Sequence, residues 1–278
     1  MLGAGACVAL LVLVWFAAFQ VGLFARLDQS IYLQFVDLQG HGRIASIAAH
    51  LVRLFDPSRY VYLILVPLVA ALLRRRPRVA VAVGAIVLGA NITTEVLKPL
   101  LAAPRPASLV AGGASYLPTA SWPSGHSTAV MSLVLATVLA VPARLRPVVA
   151  AFGASLAIAV GYSVLANGSH YASDVLGGFL MAATWALCAV AALLAVERWR
   201  PSARGSHDRV SIRAVLGAPG AVVVAALVLT LVLVAFRPHE VVSYLQAHQA
   251  FVLGAAGIAA LSLVLSTGVL LSVRRYSR

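Results

Sequence analysis

The sequence contains little charge and almost no cysteine. Only 10% of its 278 residues are charged and 62% are hydrophobic, whereas soluble domains carry about 25% charged residues. This composition excludes a water-soluble globular fold, and it excludes disorder, which requires low hydrophobicity. Cys7 and Cys188 both lie in apolar runs, which argues against a disulfide scaffold or a cysteine-based metal site. The composition predicts an all-α, polytopic helical membrane protein.

Acidic residues and lysine are also scarce. The chain has 8 Asp+Glu against 21 Lys+Arg, and Lys98 is its single lysine. A basic balance can indicate nucleic-acid binding, but no basic soluble stretch is present to carry it. The excess is instead typical of cytoplasmic loop charge and of attraction to anionic lipid. We therefore expect the lipid bilayer, and no nucleic acid, as a partner.

Long apolar runs without charge predict eight membrane spans. They cover residues 3–24, 60–73, 79–96, 124–141, 147–168, 175–196, 217–236 and 251–273. Between the first two spans, residues 26–56 carry apolar side chains at helical spacing. This pattern predicts amphipathic helices that either lie at the membrane surface or cover the other helices.

The basic residues also predict an orientation. Eight spans leave both termini on one side, and if that side is the cytoplasm, the inner segments hold twice as many Lys and Arg residues as the outer ones. Such a bias marks the cytoplasmic side. We expect a multi-pass protein of the cytoplasmic membrane with both termini in the cytoplasm.

Polar and ionisable residues gather in two clusters at span ends. One cluster closes the third span and opens the fourth, and the other lies between the fifth and the sixth. Since the fourth and fifth spans cross the membrane and return, both clusters lie on one face, predicted to be the outer one, and such residues at membrane depth usually serve function. The clusters consist of Lys98, Arg105, Ser124, Gly125 and His126, and of His170 and Asp174.

The first cluster is suited to an anion. Lys98 and Arg105 are cations that match phosphate oxygens. The backbone N–H groups of Ser124 and Gly125 lie at a helix start, where free amides and the helix dipole favour negative charge. Glu95 is expected to form an ion pair with Lys98.

The histidines supply the chemistry. If a helix begins near Ser169, His170 and Asp174 share a face, so that the carboxylate holds one imidazole nitrogen and the other is free to attack. His126 is a second imidazole, suited to donating a proton to a leaving oxygen. Each residue alone also has an ordinary structural interpretation, but their gathering on one face predicts a phosphoryl-transfer site.

These residues resemble the signature of the type 2 phosphatidic acid phosphatase family, which comprises integral-membrane lipid phosphatases. That family has a Lys, six residues and Arg-Pro, then Pro-Ser-Gly-His, then Ser-Arg, five residues, His, three residues and Asp. The matching stretches here are 98–106, 123–126 and 163–174. The resemblance covers roughly residues 25–196.

The resemblance and the predicted spans together divide the chain. Residues 1–196 would form a six-span phosphatase-like core that includes the surface helices. Residues 197–213 would form a cytoplasmic linker, and residues 214–278 a two-helix transmembrane extension.

The resemblance also implies a role for each site residue. His170 would be the nucleophile and form a phosphohistidine, and Asp174 would orient it. His126 would be the acid for the leaving group and later the base for water. The phosphate would be bound by Lys98, Arg105, Ser124 and Gly125. No metal and no cofactor is implied, because cations and amides supply the electrostatic stabilisation.

One position departs from the family pattern: Val164 stands where the third stretch carries Arg. A basic residue from the preceding surface segment could replace it, or Asn167 could donate instead. Alternatively, the chain could act on a less charged phosphodiester or have lost hydrolysis. The basic candidates are Arg43, Arg53 and Arg59.

The leading hypothesis is a metal-independent lipid phosphate phosphatase. Its substrate would be a polyprenyl phosphate or diphosphate, a polyprenyl-linked sugar phosphate, or a phosphatidyl phosphate. A second hypothesis is a phosphotransferase with a lipid or sugar acceptor. A third is a non-catalytic protein that binds or translocates lipids. Hydrolysis is preferred because the nucleophile, its carboxylate, the acid and two cations are all present.

Overall fold

The structure is a computed structural model that describes residues 1–101, 120–200 and 211–276. This part of the chain is helical almost throughout and contains no β-strand. Its α-helices are α1 (Leu2–Gln20), α2 (Gly22–Val36), α3 (Gly42–Leu54), α4 (Pro57–Leu73), α5 (Pro77–Leu100), α6 (Gly125–Ala140), α7 (Arg146–Ala166), α8 (Ala172–Trp199), α9 (Ile212–Phe236), α10 (Pro238–Ala247) and α11 (Gln249–Tyr276).

Every predicted span is largely helical, although the first is divided between α1 and α2. Six of the described helices, α1, α5, α7, α8, α9 and α11, are long and apolar enough to cross a membrane. Helices α3 and α4 form a pair bent by 65° that together would make a seventh span, and α6 is a shorter apolar helix. The predicted all-α polytopic membrane fold is confirmed, while the count of eight spans stays a prediction.

The first helix ends earlier than its apolar run. α1 ends at Gln20, and Val21 has an extended backbone with φ −111° and ψ 105°. This single extended residue redirects the chain into α2, so that part of the predicted first span belongs to the following helix.

Helix α6 is the centre of the bundle. It has 16 residues, 12 of them buried, and packs against α5, α7 and α8. Other helices rather than lipid surround it, which explains how a helix of about 24 Å suits a hydrocarbon layer of about 30 Å. A methyl group on Gly178 of α8 would lie 2.7 Å from the Ser124 carbonyl oxygen. Glycine therefore lets the start of α6 lie directly against α8.

Helix α2 packs on the core through one face. Asp28, Ile31 and Phe35 are buried there. Tyr32 Oη donates to the Gly168 carbonyl oxygen at 3.2 Å. Burial, and secondarily the nearby Tyr171, raises the pKa of the Tyr32 phenol, so that it remains a donor at neutral pH. The segment before α4 thus contacts the region where the second polar cluster lies.

The two long C-terminal helices differ in how they pack. α11 contacts α2, α7 and α8, and the Tyr162 hydroxyl of α7 donates to the Ala255 carbonyl oxygen at 2.7 Å. The Phe251 N–H donates to Gln34 Oε1 at 2.6 Å. Helix α9, by contrast, is exposed along most of its length. α11 is therefore packed into the bundle, whereas α9 lies at its periphery.

Candidate active site

The Pro-Ser-Gly-His stretch forms the start of α6. Ser124 is the N-cap, and its Oγ accepts a hydrogen bond from the Ser127 N–H at 3.3 Å. The Ser124 N–H donates to the Asp174 carbonyl oxygen at 3.0 Å. The sequence predicted that this N–H would be free to bind a ligand, and the hydrogen bond shows that it is not. The N–H groups of Gly125 and His126 have no backbone partner among the described residues. These two amides are therefore the ones at this helix start that are open to an anion.

His170 and Asp174 meet, although their helix begins later than predicted. α8 begins at Ala172, so His170 precedes the helix and Asp174 lies in its first turn. His170 Nδ1 lies 3.3 Å from Asp174 Oδ2, and the Tyr171 N–H donates to the same oxygen at 3.0 Å. An ionised carboxylate only accepts hydrogen bonds, so His170 Nδ1 carries the hydrogen and the lone pair is left on Nε2.

Burial fixes this pair in place. Asp174 is fully buried, and the side chain of His170 is 13% exposed. The carboxylate also joins the first turn of α8 to the residue before it, because the Tyr171 N–H is one of its donors. A carboxylate with two donors in a buried position holds the imidazole in one orientation.

Lys98 reaches the start of α6 together with Glu95. Its Nζ lies 2.6 Å from Glu95 Oε1, which confirms the predicted ion pair. A methyl group built on Gly125 would lie 3.2 Å from Lys98 Nζ and 3.3 Å from Glu95 Oε1. The ion pair therefore lies against the helix start whose amides favour an anion. Arg105, the second predicted cation, lies outside the described residues.

His126 contacts a carboxylate that sequence reasoning missed. Its Nε2 lies 3.1 Å from Asp56 Oδ1. Asp56 lies between α3 and α4, directly before Pro57, and an acidic residue before such a proline ordinarily indicates only a helix start. The two residues are 70 positions apart, so no local spacing pattern links them.

These side chains border a cavity of about 580 Å³ between α4, α5 and α6. The polar part of its lining consists of Glu95, Lys98, Gly125, His126 and His170. The rest of the lining is mostly apolar and consists of Phe55, Pro57, Tyr60, Val61, Ile64, Val87, Leu88, Asn91 and Ala129.

The cavity reaches the exposed surface of the bundle between α4 and α5. Val61 of α4 and Leu88 of α5 both line it, and they are 52% and 58% exposed. Its two polar side chains among the apolar ones, Tyr60 and Asn91, are bonded to each other at 3.3 Å and to Ser132 at 3.0 and 3.4 Å. Because these groups satisfy one another, the inner cavity offers mainly apolar surface.

Val164, which stands in the place of the family's arginine, does not line the cavity. Val164 is fully buried, and Lys98 is the one Lys or Arg among the described residues that line the cavity. Arg53 and Arg59 each donate to a backbone carbonyl oxygen of their own segment. In the same described part, no group of three or more His, Cys, Asp and Glu side chains is arranged to hold a metal ion. The cavity lining includes none of the predicted substitutes, Arg43, Arg53, Arg59 and Asn167.

Residues 79–198 match the sequence profile of the PAP2 superfamily. All seven predicted site residues lie within this range. This match confirms the predicted resemblance to the type 2 phosphatidic acid phosphatase family over the stretch that carries the site. Among curated proteins, no significant match to the chain was found.

The fold is similar to that of a solved member of the superfamily. The crystal structure of a transmembrane PAP2-type phosphatidylglycerolphosphate phosphatase from Bacillus subtilis superposes with a TM-score of 0.60. The two chains are 19% identical, and the match covers 72% of this chain and 100% of the other. At this identity the likeness establishes the fold, and the chemistry has to be argued from the site.

Proposed function

We propose that this membrane protein is a lipid phosphate phosphatase that works through a phosphohistidine on His170. The observation that carries the proposal is the cavity: two histidines, the Lys98–Glu95 pair and a helix start occupy one part of its lining, and mostly apolar side chains occupy the rest. A phosphate ester with a long hydrocarbon chain has the same division into a charged head and an apolar tail.

In the first step, His170 Nε2 attacks the phosphorus atom of the substrate. A P–N bond forms, and the bond between phosphorus and the leaving oxygen breaks. Asp174 supports the step because it holds Nδ1–H at 3.3 Å and stabilises the positive charge that develops on the ring. The leaving oxygen takes a proton from His126 and departs as the lipid alcohol, or as a lipid monophosphate if the substrate is a diphosphate.

In the second step, water attacks the phosphohistidine. His126, now neutral, takes a proton from the water, the P–N bond breaks, and inorganic phosphate leaves. Both histidines line the same cavity, which supports the assignment of one proton carrier to both steps.

The phosphoryl oxygens would be stabilised by Lys98, by the N–H groups of Gly125 and His126, and by Arg105. Their positive charge and aligned amides suit the negative charge of the transferring group. Ser124 would contribute through its side chain and not through its amide. Its Oγ caps α6 and so fixes the position of the amides that follow.

The apolar part of the cavity supports lipid substrates over soluble ones. Its opening between α4 and α5 would let a hydrocarbon chain remain in the bilayer while the phosphate reaches His170. Polyprenyl phosphates or diphosphates, polyprenyl-linked sugar phosphates and phosphatidyl phosphates all fit this description. The fold likeness to a phosphatidylglycerolphosphate phosphatase supports the last group.

For the membrane, we propose the topology that the basic residues indicate. The chain would lie in the cytoplasmic membrane with both termini inside and His170 facing outward. Residues 1–196 would form the catalytic core, and residues 214–278 would add two further spans, of which α11 packs directly on the core.

The test is phosphate release by the purified protein from a panel of phosphates in mixed micelles. The panel comprises polyprenyl diphosphate, phosphatidylglycerol phosphate, phosphatidate and, as a chainless analogue, glycerol 3-phosphate. We expect wild type to release inorganic phosphate from a lipid far faster than from the chainless analogue, and His170→Ala to fall to background. The matched control is His239→Ala, since His239 is exposed on α10 and should leave activity unchanged.

Three outcomes would overturn parts of the proposal. Equal lipid turnover by wild type and His170→Ala would refute the nucleophile. Equal rates on phosphatidate and glycerol 3-phosphate would refute the lipid substrate class. Radiolabelled phosphate that appears on a second lipid rather than in solution would make the protein a phosphotransferase.

A further inference from the structure

Asp56 occupies a helix start but does not cap it with its side chain. It is the N-cap residue of α4, and its side chain makes no cap hydrogen bond. Its backbone carbonyl oxygen instead accepts from the N–H groups of Arg59 and Tyr60 at 2.9 and 2.8 Å. The carboxylate of an N-cap aspartate ordinarily accepts a hydrogen bond from the N2 or N3 amide. The Asp56 carboxylate accepts none there and is free to bond another group.

The partner of that carboxylate is His126. Asp56 Oδ1 lies 3.1 Å from His126 Nε2. A carboxylate accepts hydrogen bonds, so Nε2 carries a hydrogen and donates it. Nδ1 of His126 has no hydrogen bond to any described residue and is the nitrogen left for proton transfer.

The arrangement repeats that of the nucleophile with the ring nitrogens exchanged. In His170, Asp174 holds Nδ1 and Nε2 is free. In His126, Asp56 holds Nε2 and Nδ1 is free. Each histidine is thus fixed by one carboxylate at the nitrogen that does not react.

We propose that Asp56 is the positioning residue for His126, an inference that rests on the proposed phosphatase reaction. When the leaving oxygen departs, a proton moves from Nδ1 of the His126 imidazolium to that oxygen. The Nε2–H stays hydrogen-bonded to Asp56, whose negative charge stabilises the imidazolium before the transfer. When water attacks the phosphohistidine, the proton returns to Nδ1 by the reverse path.

The effect of Asp56 should be moderate. The side chains of His126 and Asp56 are 28% and 41% exposed, and water screens the interaction of exposed charges. General acid catalysis as a whole is worth about 10²- to 10⁴-fold, so the loss of the positioning carboxylate should cost a fraction of that.

The first test compares two leaving groups. p-Nitrophenolate leaves readily without a proton, whereas the alkoxide of phosphatidate needs one. For Asp56→Asn we expect kcat/KM to fall about ten- to hundredfold on dioctanoyl phosphatidate and about threefold on p-nitrophenyl phosphate. His126→Ala should show the same contrast with larger losses, and Asp56→Glu should restore part of the phosphatidate activity.

The control is Asp37→Asn, which removes an exposed carboxylate from the same segment before α4 and should change neither rate. Equal losses on both substrates in Asp56→Asn would indicate general damage and overturn the inference. An Asp56→Asn variant that cleaves phosphatidate as fast as wild type would also overturn it.

The second test does not depend on turnover. Nitrogen-15 spectra of the labelled histidines, with His126 identified by comparison with His126→Ala, report which ring nitrogen carries hydrogen when the ring is neutral. We expect the Nε2–H form in wild type and a loss of that preference in Asp56→Asn. A predominant Nδ1–H form in wild type would overturn the inference. If wild type cleaves neither phosphate, the proposed function fails, and this spectrum still decides whether Asp56 holds His126.

Discussion

The two histidines of the site are held by carboxylates from very different regions. Asp174 is fully buried and lies 4 positions from His170, in the first turn of a core helix. Asp56 is 41% exposed and lies 70 positions from His126, at the break between two outer helices. His170, the proposed nucleophile, is therefore oriented within one helix start. The orientation of His126, the proposed proton donor, depends on how the segment before α4 packs on the core.

The largest effect should come from the buried pair. In Asp174→Asn, an amide can donate as well as accept, so the His170 tautomer with its lone pair on Nε2 is no longer enforced. We expect kcat for lipid phosphate to fall about 10³- to 10⁴-fold, as for the comparable change in Ser-His-Asp enzymes. Phosphate release measures this, and thermal unfolding monitors the fold. A loss below about tenfold would show that Asp174 does not orient the nucleophile.

The comparison of the two pairs becomes quantitative when Asp56→Asn is measured in the same assay. Its expected loss on phosphatidate, about ten- to hundredfold, is smaller because the pair is partly exposed. Equal losses from the two substitutions would contradict the distinction between a buried and a solvated carboxylate.

A smaller effect should follow at the contact between α2 and α8. Asp28 accepts hydrogen bonds from Ser173 N at 3.0 Å and Ser173 Oγ at 2.6 Å. Asp28→Ala would remove the acceptor of both hydrogen bonds from a buried contact, at a cost of about 1–3 kcal/mol. We expect a lower free energy of unfolding and a severalfold lower kcat, because the start of α8 carries Asp174.

The control for this change is Ser173→Ala, which removes one donor with its hydrogen bond and should destabilise less. Unfolding in a denaturing detergent titration measures both variants. If Asp28→Ala unfolded like wild type, α2 would not support the start of α8 that carries Asp174.

The smallest effect should come from Glu95, a carboxylate whose negative charge disfavours phosphate binding beside Lys98. Its ion pair with Lys98 lies at the helix start where phosphate would bind, and its side chain is 64% exposed. Glu95→Gln should strengthen inhibition by inorganic phosphate about two- to fivefold, the range of an exposed ion pair. The matched control is Glu240→Gln, which breaks another exposed pair, with Arg237. Weaker inhibition in Glu95→Gln would mean that Glu95 positions Lys98 instead.

Much of the fold could be predicted because hydropathy acts along the chain. The long apolar runs predicted the membrane helices, since backbone groups in lipid require helices or closed barrels. The boundaries were harder: a single extended residue, Val21, ends α1, and no composition signal marks it. Helices α9 and α11 have similar apolar sequences, and their different burial depends on tertiary contacts that no single helix encodes.

In the site, residue spacing predicted contacts between side chains that are close together in the sequence. His170 and Asp174 were paired by their separation, although their contact crosses the start of α8 instead of following one helix face. The Ser124 amide was assigned to phosphate from its place at a helix start, whereas it donates to the Asp174 carbonyl oxygen. Asp56 was missed because an aspartate before Pro57 has an ordinary structural interpretation, and only the packing of α4 against α6 brings it to His126.

The central claim is that His170 carries the phosphoryl group. Rapid quenching of the enzyme with a lipid phosphate labelled in its terminal phosphate, followed by peptide mapping, tests it directly. We predict an acid-labile, base-stable label on the peptide that contains His170, absent from His170→Ala. The claim would be contradicted if a lipid phosphate were hydrolysed with no label on that peptide, or if the label persisted in His170→Ala.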